Sequence, residues 1–408
     1  MIHRRAVCWG LVITLLLAAM LIGAAAPVAA QAEVDAAHDY TFGQRAIFTL
    51  TLGAEAEVNT ATLYLRINQA QTETYEAPIQ EGEGSYERDL TQARFPAFAE
   101  ITYWWEYEDA QGQRHKLQET TFLYQDNRYR WQTLENGKIV VHWVAGDANL
   151  MVTALDIAQS ARAEIQNALR TSSDDIVQLY IYPSQSDLQS ALRLTGYEWL
   201  GGVAYSDIGV ILLNIPPTDG AVVKMRRDIP HELTHKALYD LVGQMSYDPQ
   251  PIWLREGLAS YFEQSPDPSY ALALEEARQA NRLIPMSELC RAFPTARDDI
   301  ILAYAQSQSF IQYLQRTYGW ARIRMLIAAY ANGVDCSVGA REALGSDLAT
   351  LEREWRVWLE QKGEPAQTPQ QRWASVTVLL RDIAPWILLT ALIGLPGVLF
   401  IITSHFGK

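Results

Sequence analysis

The stretch RRDIPHELTHKAL, residues 226–238, sets two histidines four positions apart with a glutamate directly after the first. On an α-helix, residues four apart lie one above the other on one face, so His231 and His235 can turn ring nitrogens towards a single point. Glu232 points about 100° further round the helix, from where it reaches a water held at that point rather than the point itself. Two imidazoles with a carboxylate beside them are most of the donor set of a zinc ion that keeps one position open for water. The ordinary alternative is an amphipathic helix with two surface histidines. What separates the two readings is whether a further ligand arrives from another element.

Downstream stands PIWLREGLASYFE, residues 251–263, an apolar helical stretch carrying Glu256. The intervening YDLVGQMSYDPQP, residues 239–251, holds Gly243, Asp248 and two prolines, the residue types of a turn that can fold the second helix back on the first. Glu256 then completes a His/His/Glu set. An acid favoured by the helix dipole near its N-terminus is the plainer account of the same residue.

Taken together, HELTH (231–235) and WLREGLASYFE (253–263) resemble the gluzincin metallopeptidases, the thermolysin-like group, and most closely the peptidase MA-like domains of membrane-attached bacterial proteins. The resemblance covers roughly residues 126–363, including DNRYRWQTLENGKIVVHWVAGD (126–147) and AYAQSQSFIQYLQRTYG (303–319). It implies a Zn2+ ion held by His231, His235 and Glu256, with Glu232 as general base in the hydrolysis of a peptide or protein substrate. It also sets Tyr304 on a helix facing the cleft, where a phenol can donate to a developing oxyanion; packing on an apolar helix face is the alternative. By the same resemblance GGVAYSDIGVILL (201–213) contains an edge strand that pairs with an extended peptide, the alternative being an ordinary strand.

Two features depart from the family pattern. Relatives carry an acid four residues after the third ligand to hold a metal-bound histidine; here that position is Ser260, so Glu263 or a water has to serve. Pro230 directly precedes His231, lacks an N–H and clashes with the Arg226 carbonyl in a running helix, so the metal helix is expected to kink or to start near Asp228. A non-catalytic envelope binding protein that retains the zincin fold is the competing functional reading.

Around this centre the chain reads as α+β: a thermolysin-like zincin domain at 126–363, preceded by a small Ig-like β-sandwich at 33–125. The sandwich is read from AIFTLTL, ATLYLRI, ITYWWEYED and TTFLY, separated by turn-rich pieces. With 408 residues and 49% hydrophobic side chains the chain can bury a sizeable core. A formal charge of −14, spread along the chain, argues against nucleic acid as a partner.

Both ends are apolar. Residues 1–32, with His3, Arg4 and Arg5 ahead of a long apolar run, read as a signal peptide cut after Ala32, with an uncleaved anchor as the rival. A polar linker at 364–382 leads to IAPWILLTALIGLPGVLFIIT (383–403), an uncharged run of membrane-spanning length, and a stub at 404–408. The expected location is the cell membrane, single-pass, with the body extracytoplasmic. Removing the signal leaves Cys290 and Cys336, which an oxidising exterior allows to pair, although their spacing does not establish it.

Overall fold

The computed structural model describes residues 34–53, 57–192 and 201–362. The signal peptide, the linker, the membrane helix and the stub expected at 1–32, 364–382, 383–403 and 404–408 lie outside the described residues. Among the described residues no helix is long and apolar enough to cross a membrane. The chain divides into two compact units, with the boundary between Arg128 and Tyr129.

The first unit is a sheet of strands β1 Asp35–Thr41, β2 Arg45–Thr51, β3 Thr60–Ile67, β4 Glu73–Gln80, β5 Glu83–Asp89, β6 Glu100–Glu108, β7 Arg114–Lys116 and β8 Thr120–Leu123. Its ladder runs β1-β2-β5-β4-β3-β6-β7, with β8 also on β6. The half β1-β2-β5 joins the half β4-β3-β6 through two residue pairs of the β4–β5 hairpin, Ile79 with Gly84 and Gln80 with Glu83. In a flat sheet β2 and β6 would be roughly 19 Å apart, at about 4.8 Å per strand. Yet the rings of Phe48 on β2 and Tyr103 on β6 lie 5.0 Å apart. The ladder therefore folds over at the hairpin, and the two layers read from the sequence are one continuous sheet. Strands β4 (ETYEAPIQ) and β5 (EGSYERD) escaped the sequence reading because their outward residues are so polar that little apolar alternation survives.

The second unit is built on strands β9 Gln132–Asn136, β10 Ile139–Trp143, β11 Val177–Tyr182, β12 Gly202–Tyr205 and β13 Val210–Asn214, in the order β12-β13-β11-β10-β9. The three central strands are parallel and both edges are antiparallel. Helices α1 Ala148–Leu169, α2 Gln185–Leu192, α3 Ala221–Val242, α4 Gln244–Tyr247, α5 Ile252–Phe262, α6 Ser269–Gln279, α7 Arg297–Ala331, α8 Cys336–Leu344 and α9 Leu348–Lys362 complete it. The unit is thus a mixed sheet followed by a helical C-terminal half. Val141, Leu179, Ile181, Ile211 and Leu213 pack with Met151, Leu155 and Ile165 of α1 and with Met225, Ile229 and Leu233 of α3 in one core. That packing spends one face of α3 on the core and leaves another for the two histidines.

Helix α3 does not start near Asp228; it begins at Ala221 and carries Pro230 in its interior. The carbonyl that a proline leaves without its in-helix donor is that of Arg226. It accepts instead from the backbone N–H groups of Gln264, at 2.8 Å, and Ser265, at 3.3 Å. An external partner thus offsets the bond that the proline removes.

Helices α5 and α7 approach closely at Gly257, where a Cβ would fall 2.7 Å from the Ser307 carbonyl oxygen. Any side chain there would push the helices apart, and with them Glu256 and Tyr304. Cys290 and Cys336 form a disulfide, with Cα atoms 6.4 Å apart, that ties the segment before α7 to the start of α8.

Candidate metal centre

His231 and His235 stand on the outward face of α3 with ring centroids 5.0 Å apart. Glu256, on the first turns of α5, points its carboxylate between them: Oε2 lies 3.4 Å from His231 Nε2 and 3.6 Å from His235 Nε2. Bonds of about 2.05 Å in a tetrahedron place neighbouring ligand atoms about 3.3 Å apart, so these separations suit one zinc ion. All three ligand atoms lie within 4.8 Å of one another, and no other such His/Cys/Asp/Glu cluster occurs among the described residues.

The remaining ring nitrogens are engaged away from the centre. His231 Nδ1 is 2.9 Å from Glu263 Oε1, and His235 Nδ1 is 3.0 Å from the Tyr247 hydroxyl. Both imidazoles thereby turn Nε2 towards Glu256. Burial alone would lower the His231 pKa, but hydrogen bonds to Glu256 and Glu263 hold it well above its ordinary value. Burial would raise that of Glu256, yet the two histidines hold it well below the usual carboxylate range. The site is a largely enclosed cluster of two imidazoles and a carboxylate, a donor set that zinc accepts.

Glu232 is 7% exposed, and its burial pushes its pKa up. It lies against the edge strand: a Cβ on Gly202 of β12 would fall 2.9 Å from Glu232 Oε1 and 3.0 Å from its Cγ. Tyr304 on α7 has its ring 6.1 Å from that of His231, and burial together with the Glu256 charge keeps its phenol protonated far above the ordinary range. The structure thus brings together all five residues singled out in the sequence, His231, Glu232, His235, Glu256 and Tyr304. Ser260 is fully buried, and its carbonyl accepts from Gln308 Nε2 of α7 at 2.7 Å.

Sequence reasoning missed three contributors. Tyr247 lies in a stretch read only as a turn, and nothing local to it marks its reach back to His235. Tyr270 of α6 stacks on Tyr304, with centroids 6.3 Å apart and planes at 5°. Gly202 lies in GGVAYSDIGVILL, read as containing an edge strand, and a glycine within a strand is the one available sign of a close approach.

Comparison with known proteins adds a family. The model of the peptidase MA superfamily matches residues 157–361. No curated protein matches the chain. Among solved structures, an aminopeptidase N family protein from Idiomarina loihiensis aligns with 80% of this chain and 70% of its own, at 9% identity and a TM-score of 0.30. A polysaccharide deacetylase from Bacillus cereus aligns with 48% of this chain and 66% of its own, at 8% identity and a TM-score of 0.21. BhCBM56 aligns with 23% of this chain and 98% of its own, at 13% identity and a TM-score of 0.19. At TM-scores this low none of the three likenesses constrains the fold or the chemistry of this chain.

Proposed function

The chain belongs to the peptidase MA superfamily, and on that premise we propose that it is a zinc metallopeptidase whose body is carried outside the cell by a C-terminal membrane span. The observation that carries the reading is the convergence of His231 Nε2, His235 Nε2 and Glu256 Oε2 at separations of 3.4 and 3.6 Å, with Glu232 on the same helix beside them.

His231, His235 and Glu256 hold the ion. Bound there, zinc supplies a Lewis acid for the scissile carbonyl and lowers the pKa of the attacking water. Glu232 takes the proton of that water and passes it to the leaving amine, so no covalent intermediate with the protein is needed. Tyr304 donates its phenol hydrogen to the oxygen on which charge develops. The outer edge of β12, paired on its inner side with β13, offers backbone donors and acceptors to an extended peptide, which supports binding with little demand on side-chain sequence.

Zinc content measured beside peptidase rate tests the proposal. The parent is expected to hold about one zinc per chain and to lose hydrolysis on chelation. Glu232→Gln keeps every ligand and is expected to keep its zinc while the rate falls by a factor of about 10² to 10⁴. Replacing His231, His235 or Glu256 by Ala removes metal and activity together. A Glu232→Gln protein that hydrolyses at the parental rate would sink the mechanism, and zinc held without any hydrolysis by the parent would favour the binding-protein reading.

A further inference from the structure

We propose that Glu263 is the positioning residue for the metal-holding imidazole of His231, and that Pro230 pins it there through the backbone. The inference rests on the zinc reading of the trio. Glu263 is the residue at which the chain leaves α5, and its side chain is 1% exposed with Oε1 2.9 Å from His231 Nδ1. A buried carboxylate accepting from Nδ1–H fixes which tautomer the ring adopts and which way Nε2 points.

The means of holding Glu263 lies in the next two residues. The N–H groups of Gln264 and Ser265 donate to the Arg226 carbonyl, at 2.8 and 3.3 Å. In an ordinary helix that carbonyl would accept from the N–H of residue 230, which here is a proline and has none. Pro230 therefore keeps open the acceptor that anchors the segment directly after Glu263, one residue before the histidine that Glu263 serves. Arg227 adds a second tie, with Nη1 2.9 Å from Asp267 Oδ2 and Nε 2.9 Å from Asp228 Oδ1. Two oddities of the sequence, a proline inside the metal helix and a serine at 260, become one arrangement. The acid arrives seven residues after Glu256 instead of four, and the proline vacates the bond that holds it. His235 has no such carboxylate; its partner is the neutral phenol of Tyr247.

The test uses purified full-length protein in detergent, stripped of metal and titrated with zinc against a competing chromophoric chelator, with cobalt(II) spectra recorded in parallel. Glu263→Ala is expected to weaken zinc binding by roughly 10- to 100-fold and to shift the cobalt bands. Glu263→Gln, whose amide oxygen still accepts from Nδ1–H, is expected to recover most of the affinity. Pro230→Ala returns an in-helix donor to the Arg226 carbonyl and is expected to fall between the two. Because both changes act through one contact, Glu263→Ala with Pro230→Ala is expected to bind no more weakly than Glu263→Ala alone. Parental zinc affinity with an unaltered cobalt spectrum in Glu263→Ala overturns the role of Glu263, and a double variant that loses the sum of the single effects overturns the role of Pro230. Should circular dichroism show Glu263→Ala unfolded, Pro230→Ala decides, and parental affinity there overturns the inference. A parent that takes up no zinc removes the zinc reading itself, a different failure.

Discussion

Gly202 shows how much can depend on a missing side chain. A Cβ there would lie 2.8 Å from Leu213 Cδ2 and 2.9 Å from Glu232 Oε1, closer than such contacts occur, so the edge strand or the carboxylate would have to shift. Glu232 is a neighbour of the metal trio rather than a member of it, so the shift should be felt in proton transfer and not in metal binding. Gly202→Ala is expected to keep its zinc and to lose turnover by roughly 10- to 100-fold, as a displacement on the scale of an ångström commonly costs. Kinetics beside metal analysis check this, and parental kcat in Gly202→Ala would show that Glu232 does not depend on the fit.

At the scale of elements, the helix that brings Glu256 is held at its start by a distant segment. The first N–H groups of α5, those of Ile252 and Trp253, donate to the carbonyls of Cys290 and Leu289 at 3.3 and 3.1 Å. Helix N-termini carry N–H groups with no internal partner, and here backbone carbonyls take the place of a capping side chain. Cys290 is in turn bonded to Cys336, 46 residues on. Closing a loop of that size stabilises the fold by about 4 kcal/mol in the chain-entropy treatment. Cys290→Ser with Cys336→Ser is expected to lower Tm by roughly 10 °C and to speed zinc loss, because the start of the Glu256 helix loses its tether. Melting curves and zinc release with and without reductant measure both, and curves that coincide would show that the bridge holds nothing together.

At the scale of the whole molecule, the placement of the body outside a membrane rests on the two terminal stretches of the sequence. The run at 383–403 contains no Asp, Glu, Lys or Arg, and a stretch of that length and apolarity is better solvated by lipid than by water. The full chain is expected to need detergent, whereas a chain lacking the first 32 residues and ending before residue 364 is expected to stay in the aqueous phase. Phase partitioning of the two proteins decides the point, and a full chain that remains soluble without detergent would remove the anchor.

The parts of this protein legible in its sequence are those encoded by near neighbours. The alternation of AIFTLTL and ATLYLRI, the four-residue spacing of His231 and His235, and the apolar helical period of residues 252–262 each follow from the geometry of one element. Local rules failed where one element answers another. Pro230 reads locally as a reason for the helix to kink or to begin later, and only the carbonyl contact with Gln264 and Ser265 shows how it is accommodated inside. Two sheets and one folded sheet share the same strand patterns; the β4–β5 hairpin decides between them. Whether Glu256 is a ligand or a dipole-favoured acid turns on how α5 is seated among its neighbours, where it approaches α7 closely at Gly257. The partners of the two imidazoles, Glu263 and Tyr247, come from segments 32 and 12 residues away; the sequence offered Glu263 only as an alternative to a water and carried no mark of the role of Tyr247. Side-chain periodicity is a property of one helix or strand, so the sequence alone determined those elements whose apolar pattern is strong, though not β4, β5 or the start of α3, and two of the metal-facing residues. The convergence of three ligands and their supports is a property of tertiary packing, because it requires several elements to meet at one point, which only the folded chain specifies.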